Sequence, residues 1–201
     1  MGCCRLTVDL FPEEDGNTPL TTEERLGLLP SYITLRQELN EVEQINITEG
    51  ERWAFSRPRD ILDEGFLRDL HRRMFGQVWN WAGDYSRENN RRIGSDSFMI
   101  PIDLRGLLGD VRYWIDSATY PSDEIALRFH HRLTQIHPFP NGNGRFSRLA
   151  ADLLIVRMGQ PRFAWGRNNP IEAGEARCRY IKALRAADGH DTAPLLAFAR
   201  S

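Results

Sequence analysis

A helical run at 143–158 is apolar almost all round, with Phe146, Leu149, Ala150, Ala151, Leu153, Leu154, Ile155, Val156 and Met158 leaving little of its surface for water. A helix without a wet face has to lie inside a domain, so the rest of the chain must wrap it. Gly159 is placed to cap its C-terminal end. Its first turn breaks the pattern, because Arg145 and Arg148 stand where the positive end of the helix dipole disfavours cations. A bound anion would remove that conflict.

The remaining periodicity supplies the wrapping. Ile33, Leu35, Leu39, Val42 and Ile45 predict a helix over about 31–45, with Glu38, Glu41 and Glu43 between them. Further helices are predicted at 60–75, 103–115, 121–136, 170–187 and 191–199, and a short one at 21–29 that Pro30 ends. The stretch 79–101 is aromatic, polar and punctuated by glycine, and is read as a loop carrying a β-hairpin at 91–100. The chain is therefore expected to be all-α with a short hairpin. Residues 1–20 read as an arm and 21–201 as a single domain, with an N-terminal helical segment at 21–50 and a core at 60–190.

Composition narrows the setting. A net charge of -2 gives no global case for nucleic-acid binding. Lys182 is the single lysine among 26 basic residues, so the basic chemistry is arginine chemistry. Cys3, Cys4 and Cys178 do not form a disulfide framework, which fits a reducing compartment. The opening Met-Gly-Cys-Cys lacks the Ser or Thr at position 6 that myristoylation prefers. With neither a signal region nor an apolar run of membrane length, the expected location is the cytoplasm.

The chemistry concentrates in residues 137–148, which read His-Pro-Phe-Pro-Asn-Gly-Asn-Gly-Arg-Phe-Ser-Arg. Gly142 and Gly144 allow positive φ and close backbone approach, so consecutive N–H groups can converge on an anion. Arg145 and Arg148 lie one turn apart and can fork onto neighbouring phosphates. His137, one residue beyond the preceding helix, has the pKa class of a general base near neutrality. His130 and His131 read as packing or surface residues, and no zinc spacing is present.

This stretch resembles the signature of the Fic-domain family, H-x-F-x-[D/E/N]-G-N-G-R-x-x-R. With the upstream segments at 16–20, 38–41, 74–76 and 79–83, the chain looks like the bacterial branch called mobile mystery protein B. The resemblance implies a Fic-fold helical bundle whose β-hairpin flap covers the active site. It also implies a protein adenylyltransferase, with ATP as substrate and Mg²⁺ or Mn²⁺ as cofactor. His137 would deprotonate a Ser, Thr or Tyr hydroxyl of a target protein, and Phe139 would anchor the loop. Gly142, Asn143 and Gly144 would form the anion hole, while Arg145 and Arg148 would hold the β- and γ-phosphates. Asn141 occupies the position that often gives a carboxylate to the metal. Ile93, Phe98 and Met99 would dock the target on the flap.

The family also uses an inhibitory glutamate that pairs with the second arginine. Glu38 is the first candidate here, with Glu41 and Glu43 as rivals. Alternatives on the same site are removal of AMP or transfer of another nucleotide or phosphate group, and one of another class is a non-catalytic nucleotide-sensing or partner-binding module. Expected partners are the target protein, the chain itself as a substrate or homodimer, and a helix-turn-helix regulator. No membrane and no nucleic acid is expected to bind.

Overall fold

The structure, a computed structural model, describes residues 26–87, 94–167 and 173–201. These contain α1 (Arg36–Phe55), α2 (Glu64–Phe75), α3 (Ile100–Asp116), α4 (Ser122–Ile136), α5 (Asn143–Arg157), α6 (Ala173–Asp188) and α7 (Ala193–Arg200). The all-α expectation holds, and an isolated β-bridge pairs Leu28 with Trp79.

The apolar run becomes α5, which lies against α4, α2 and α1. It buries Phe146, Leu149, Ala150, Ala151, Leu153, Leu154 and Ile155, while Val156 keeps 41% of its surface exposed. Gly159 follows the helix with φ of 79°, as a left-handed terminator should. Asp152 is buried as well, because it accepts hydrogen bonds from Arg162 Nε at 2.6 Å and Trp165 Nε1 at 2.8 Å.

Boundaries differ from expectation where tertiary contacts decide them. α1 starts after Leu35, since the Glu38 carboxylate reaches back to the N–H groups of Thr34 (2.9 Å) and Leu35 (3.2 Å). It then runs to Phe55, beyond its apolar periodicity. Asn46 explains the extension: its Nδ2 donates to the Arg73 carbonyl at 3.1 Å and its Oδ1 accepts from the Gln77 N–H at 3.0 Å. Gly50 lets the two helices touch, for a Cβ there would come within 2.9 Å of the Met74 nitrogen. α2 begins at Glu64 because Asp63 caps the Phe66 N–H at 2.7 Å.

The hairpin at 91–100 is corrected in its second half. Residues 97–99 form a turn, with the Met99 N–H on the Asp96 carbonyl at 2.7 Å, and Ile100 already opens α3 with Pro101 in its first turn. Proline suits that position because its missing N–H is not needed there. Ile93 lies outside the described residues, as do residues 21–25 of the short N-terminal helix.

Candidate active site

The loop between α4 and α5 is held from below by an aromatic stack. Phe139 is buried and lies parallel to the His71 ring, with centroids 3.7 Å apart. Phe146 meets Phe139 edge-on at 5.0 Å. Removing a buried ring of this kind costs roughly 3–5 kcal/mol, so Phe139 is an anchor, as expected. Asn143 completes the clamp: its Oδ1 accepts from the Phe139 N–H at 3.0 Å and its Nδ2 donates to the Phe139 carbonyl at 2.7 Å. The Asn143 side chain is thus spent on the loop, and only its backbone N–H can serve an anion.

Gly142 is the N-cap of α5, with φ of 79° and no side-chain cap. A Cβ there would sit 2.6 Å from the Phe75 ring, so both conformation and contact require glycine. The Phe146 N–H already binds the Gly142 carbonyl at 2.9 Å. The N–H groups of Asn143, Gly144 and Arg145 precede this first intrahelical donor, so they have no acceptor within the helix and point out of its end, which is the geometry of an anion site.

His137 terminates α4 in the left-handed region, φ 53° and ψ 57°, with its N–H on the Leu133 carbonyl at 3.1 Å. The left-handed region is costly for a residue with a Cβ, so surrounding structure must impose it. The two ends of the 87–94 insert do so. The Ser86 N–H donates to the Pro138 carbonyl at 2.9 Å and the Ser95 N–H to the Ile136 carbonyl at 3.1 Å, gripping the chain on both sides of His137. Gly94 fits in between, where a Cβ would stand 3.1 Å from that of His137.

Burial lowers the His137 pKa below its ordinary 6.5, outweighing the Thr134 carbonyl, which faces the ring and favours protonation without closing a hydrogen bond of ordinary geometry. The Nδ1 nitrogen is buried and has no hydrogen-bond partner among the described residues.

The two arginines have different surroundings. Arg148 lies over the Tyr180 ring at 5.4 Å, and no carboxylate among the described residues is paired with it. Arg145 lies over Phe75 at 4.9 Å and its Nη1 donates to Glu43 Oε2 at 2.6 Å. Glu43 is buried on α1, and its Oε1 accepts from Trp79 Nε1 at 2.6 Å. The expected contact between Glu38 and Arg148 is therefore replaced by one between Glu43 and Arg145. Glu38 is occupied at its own helix start, where the Thr34 and Leu35 amides hold its carboxyl below the usual range. Glu41 accepts from Gln37 at 3.0 Å on the exposed side of α1.

Asn141 is exposed, and its Oδ1 accepts the Gly142 N–H at 2.6 Å. One lone pair remains, so a hard cation fits there as a neutral oxygen ligand whose other donors would be phosphate oxygens and water. Phe98 is 70% exposed and Met99 is half-buried. Phe98 lines an open groove of about 460 Å³ with Arg68, Asp84, Tyr85, Ser86, Arg87 and Ser97.

Two contributors had no motif of their own: His71, and the pair Ser86 and Ser95. His71 sits inside a helix pattern that reads as core, and the serines make their contacts through the backbone.

A histidine pinned beside an uncapped helix start, with two arginines on that helix's first turns, brings together groups suited to holding an anion. Residues 61–155 match the Fic/DOC family. A protein adenylyltransferase Fic from Drosophila virilis is 33% identical over 136 residues, covering 66% of this chain but 26% of the relative. The chain thus spans about a quarter of the length of the curated relatives it matches. The fold is shared with a BepC protein from Bartonella tribocorum, solved with bound AMPPNP, at a TM-score of 0.63 and 16% identity over 90% of this chain and 97% of that one. It is shared too with the N-terminal Fic domain of a Bep effector from Bartonella quintana, at 0.66 and 17% over 85% and 84% of the two chains. No helix among the described residues is long and apolar enough to cross a membrane.

Proposed function

We propose that this chain transfers AMP from ATP to a hydroxyl of a target protein. The observation that carries the proposal is the pairing of His137, pinned in a left-handed turn, with the uncapped N-terminus of α5 one short loop away. His137 Nε2 takes the proton of an incoming Ser, Thr or Tyr hydroxyl. The hydroxyl oxygen then bonds to the α-phosphorus, the bond from that phosphorus to the β-bridging oxygen breaks, and pyrophosphate leaves. The N–H groups of Asn143, Gly144 and Arg145 offset the charge that grows on the phosphate oxygens, while Arg145 and Arg148 hold the departing phosphates. Asn141 Oδ1 would be the protein ligand of the Mg²⁺ or Mn²⁺ that comes with the nucleotide, and the cation would supply charge neutralisation to the phosphates. Phe98, Met99 and Ile93 border the acceptor side.

Glu43 restrains this chemistry. While it holds Arg145, that guanidinium cannot turn fully to a phosphate, so ATP has to compete with a carboxylate. The likeness to adenylyltransferases supports the reading. It is tested by measuring pyrophosphate released from ATP and Mg²⁺ by wild type, Glu43→Ala and His137→Ala. Release that rises in the first variant and vanishes in the second is expected. Release that persists in His137→Ala removes the base from the mechanism.

A further inference from the structure

We propose that His71 is the positioning residue of the phosphate-facing loop, tying the Gly83 amide to the Asn141 carbonyl through its two ring nitrogens. Its kinetic consequence rests on the transferase reading, but its structural basis does not.

The ring is wholly buried on α2. The Gly83 N–H can only donate, and it meets Nδ1 at 3.0 Å. Nδ1 is therefore the unprotonated nitrogen of a neutral ring. The proton on Nε2 points at the Asn141 carbonyl, which can only accept, at 3.0 Å. Both partners fix one tautomer, with no freedom to exchange roles.

The Gly83 end is rigid. Gly83 has φ of 83°, a Cβ on it would fall 2.9 Å from the Arg68 carbonyl, and its own carbonyl accepts from Arg68 Nε at 2.9 Å. One turn of α2 thus holds the Gly83 residue by both its amide and its carbonyl. At the other end, the Asn141 carbonyl belongs to the same planar peptide as the Gly142 N–H, so fixing one fixes the other. That peptide leads into the left-handed Gly142 and the N–H groups that follow it. Phe75, one helical turn after His71, packs directly beneath Gly142. Two residues of one α2 face therefore set the plane and the height of the turn, and the loop inherits its shape from a helix 70 residues away in sequence.

The test compares His71→Gln, whose amide can accept from Gly83 and donate to Asn141, with His71→Phe, which keeps the stack on Phe139 but neither bond. Transfer kinetics with ATP and Mg²⁺ are measured in the Glu43→Ala background, together with nitrogen-15 NMR of the wild-type ring and of the 141–145 amides. The proposal expects the Phe variant to lose kcat by about tenfold or more with a smaller change in KM, and the Gln variant to recover most of it. Equal rates in all three, or equal losses in Gln and Phe, overturn it. Should the Phe variant fail to fold, the wild-type ring decides: a proton on Nε2 supports the proposal, and a proton on Nδ1 overturns it. If no variant transfers AMP, the transferase reading fails. The ring tautomer and the 141–145 amide shifts of the Gln and Phe variants then still decide the role of His71.

Discussion

Glu43 and Arg145 stand 102 residues apart in sequence and share a 2.6 Å ion pair, so α1 reaches into the phosphate loop before any nucleotide does. Glu43→Gln keeps an acceptor for Trp79 and removes the charge. ATP affinity is expected to rise by about tenfold, because a competing carboxylate has gone. Stability is expected to fall by about 1–2 kcal/mol, a figure held down by the partial exposure of Arg145. Glu38→Ala should leave ATP affinity unchanged. Calorimetric titration with ATP separates the two glutamates, and an unchanged affinity in Glu43→Gln would remove the restraint from the account.

Gly142→Ala tests the cradle itself. The variant must accept a left-handed φ and crowd the Phe75 ring, at about 1–3 kcal/mol for the overpacking alone. Loss of ATP binding is expected along with the stability loss. In Gly142→Ala with Phe75→Leu, part of the stability should return while binding stays weak, since only the steric half of the problem is relieved. Urea unfolding and ATP titration check both halves.

Asn141→Asp adds a formal charge beside a nucleotide-bound cation. The Mg²⁺ concentration for half-maximal transfer is expected to fall by about threefold or more. A magnesium titration of transfer rate reads this directly, and an unchanged requirement would place Asn141 outside the metal's reach.

Much of this was legible in the sequence. The buried helix, its glycine terminator and the loop before it follow from residues 137–159 alone, because an all-round apolar helix and a glycine-rich start have few uses. His137, Phe139 and the two arginines follow from the same stretch. Contacts that join distant segments were not legible. Glu43 differs from Glu38 and Glu41 only in which face of α1 meets the loop, and that face is set by Asn46 and Gly50 packing on α2. His71 lies at a core-facing position of α2, where periodicity cannot tell a buried bridge from packing. The 91–100 stretch reads as a hairpin from its aromatic, polar and glycine-punctuated character, whereas Asp96 and Pro101 turn its second half into a helix entry.

Acid stability carries a prediction of its own. Burial lowers the pKa of both His71 and His130 from 6.5 to about 3. The unfolded chain therefore binds more protons than the folded one between those values, and stability falls as pH drops from 6.5 toward 3. Each histidine contributes a slope of about 1.4 kcal/mol per pH unit well inside that window. Urea unfolding across the upper half of the window should show His71→Gln with a shallower slope than wild type by about that amount. Identical slopes would mean that the His71 ring is protonated in the folded protein.

The most direct test follows the fate of the α-phosphate. Glu43→Ala and Glu43→Ala with His137→Ala are incubated with Mg²⁺ and ATP labelled at either the α- or the γ-phosphate, and protein-bound label is counted. The account predicts that α-label alone becomes protein-bound, and only while His137 is present. Bound γ-label, or α-label that survives the loss of His137, would contradict it.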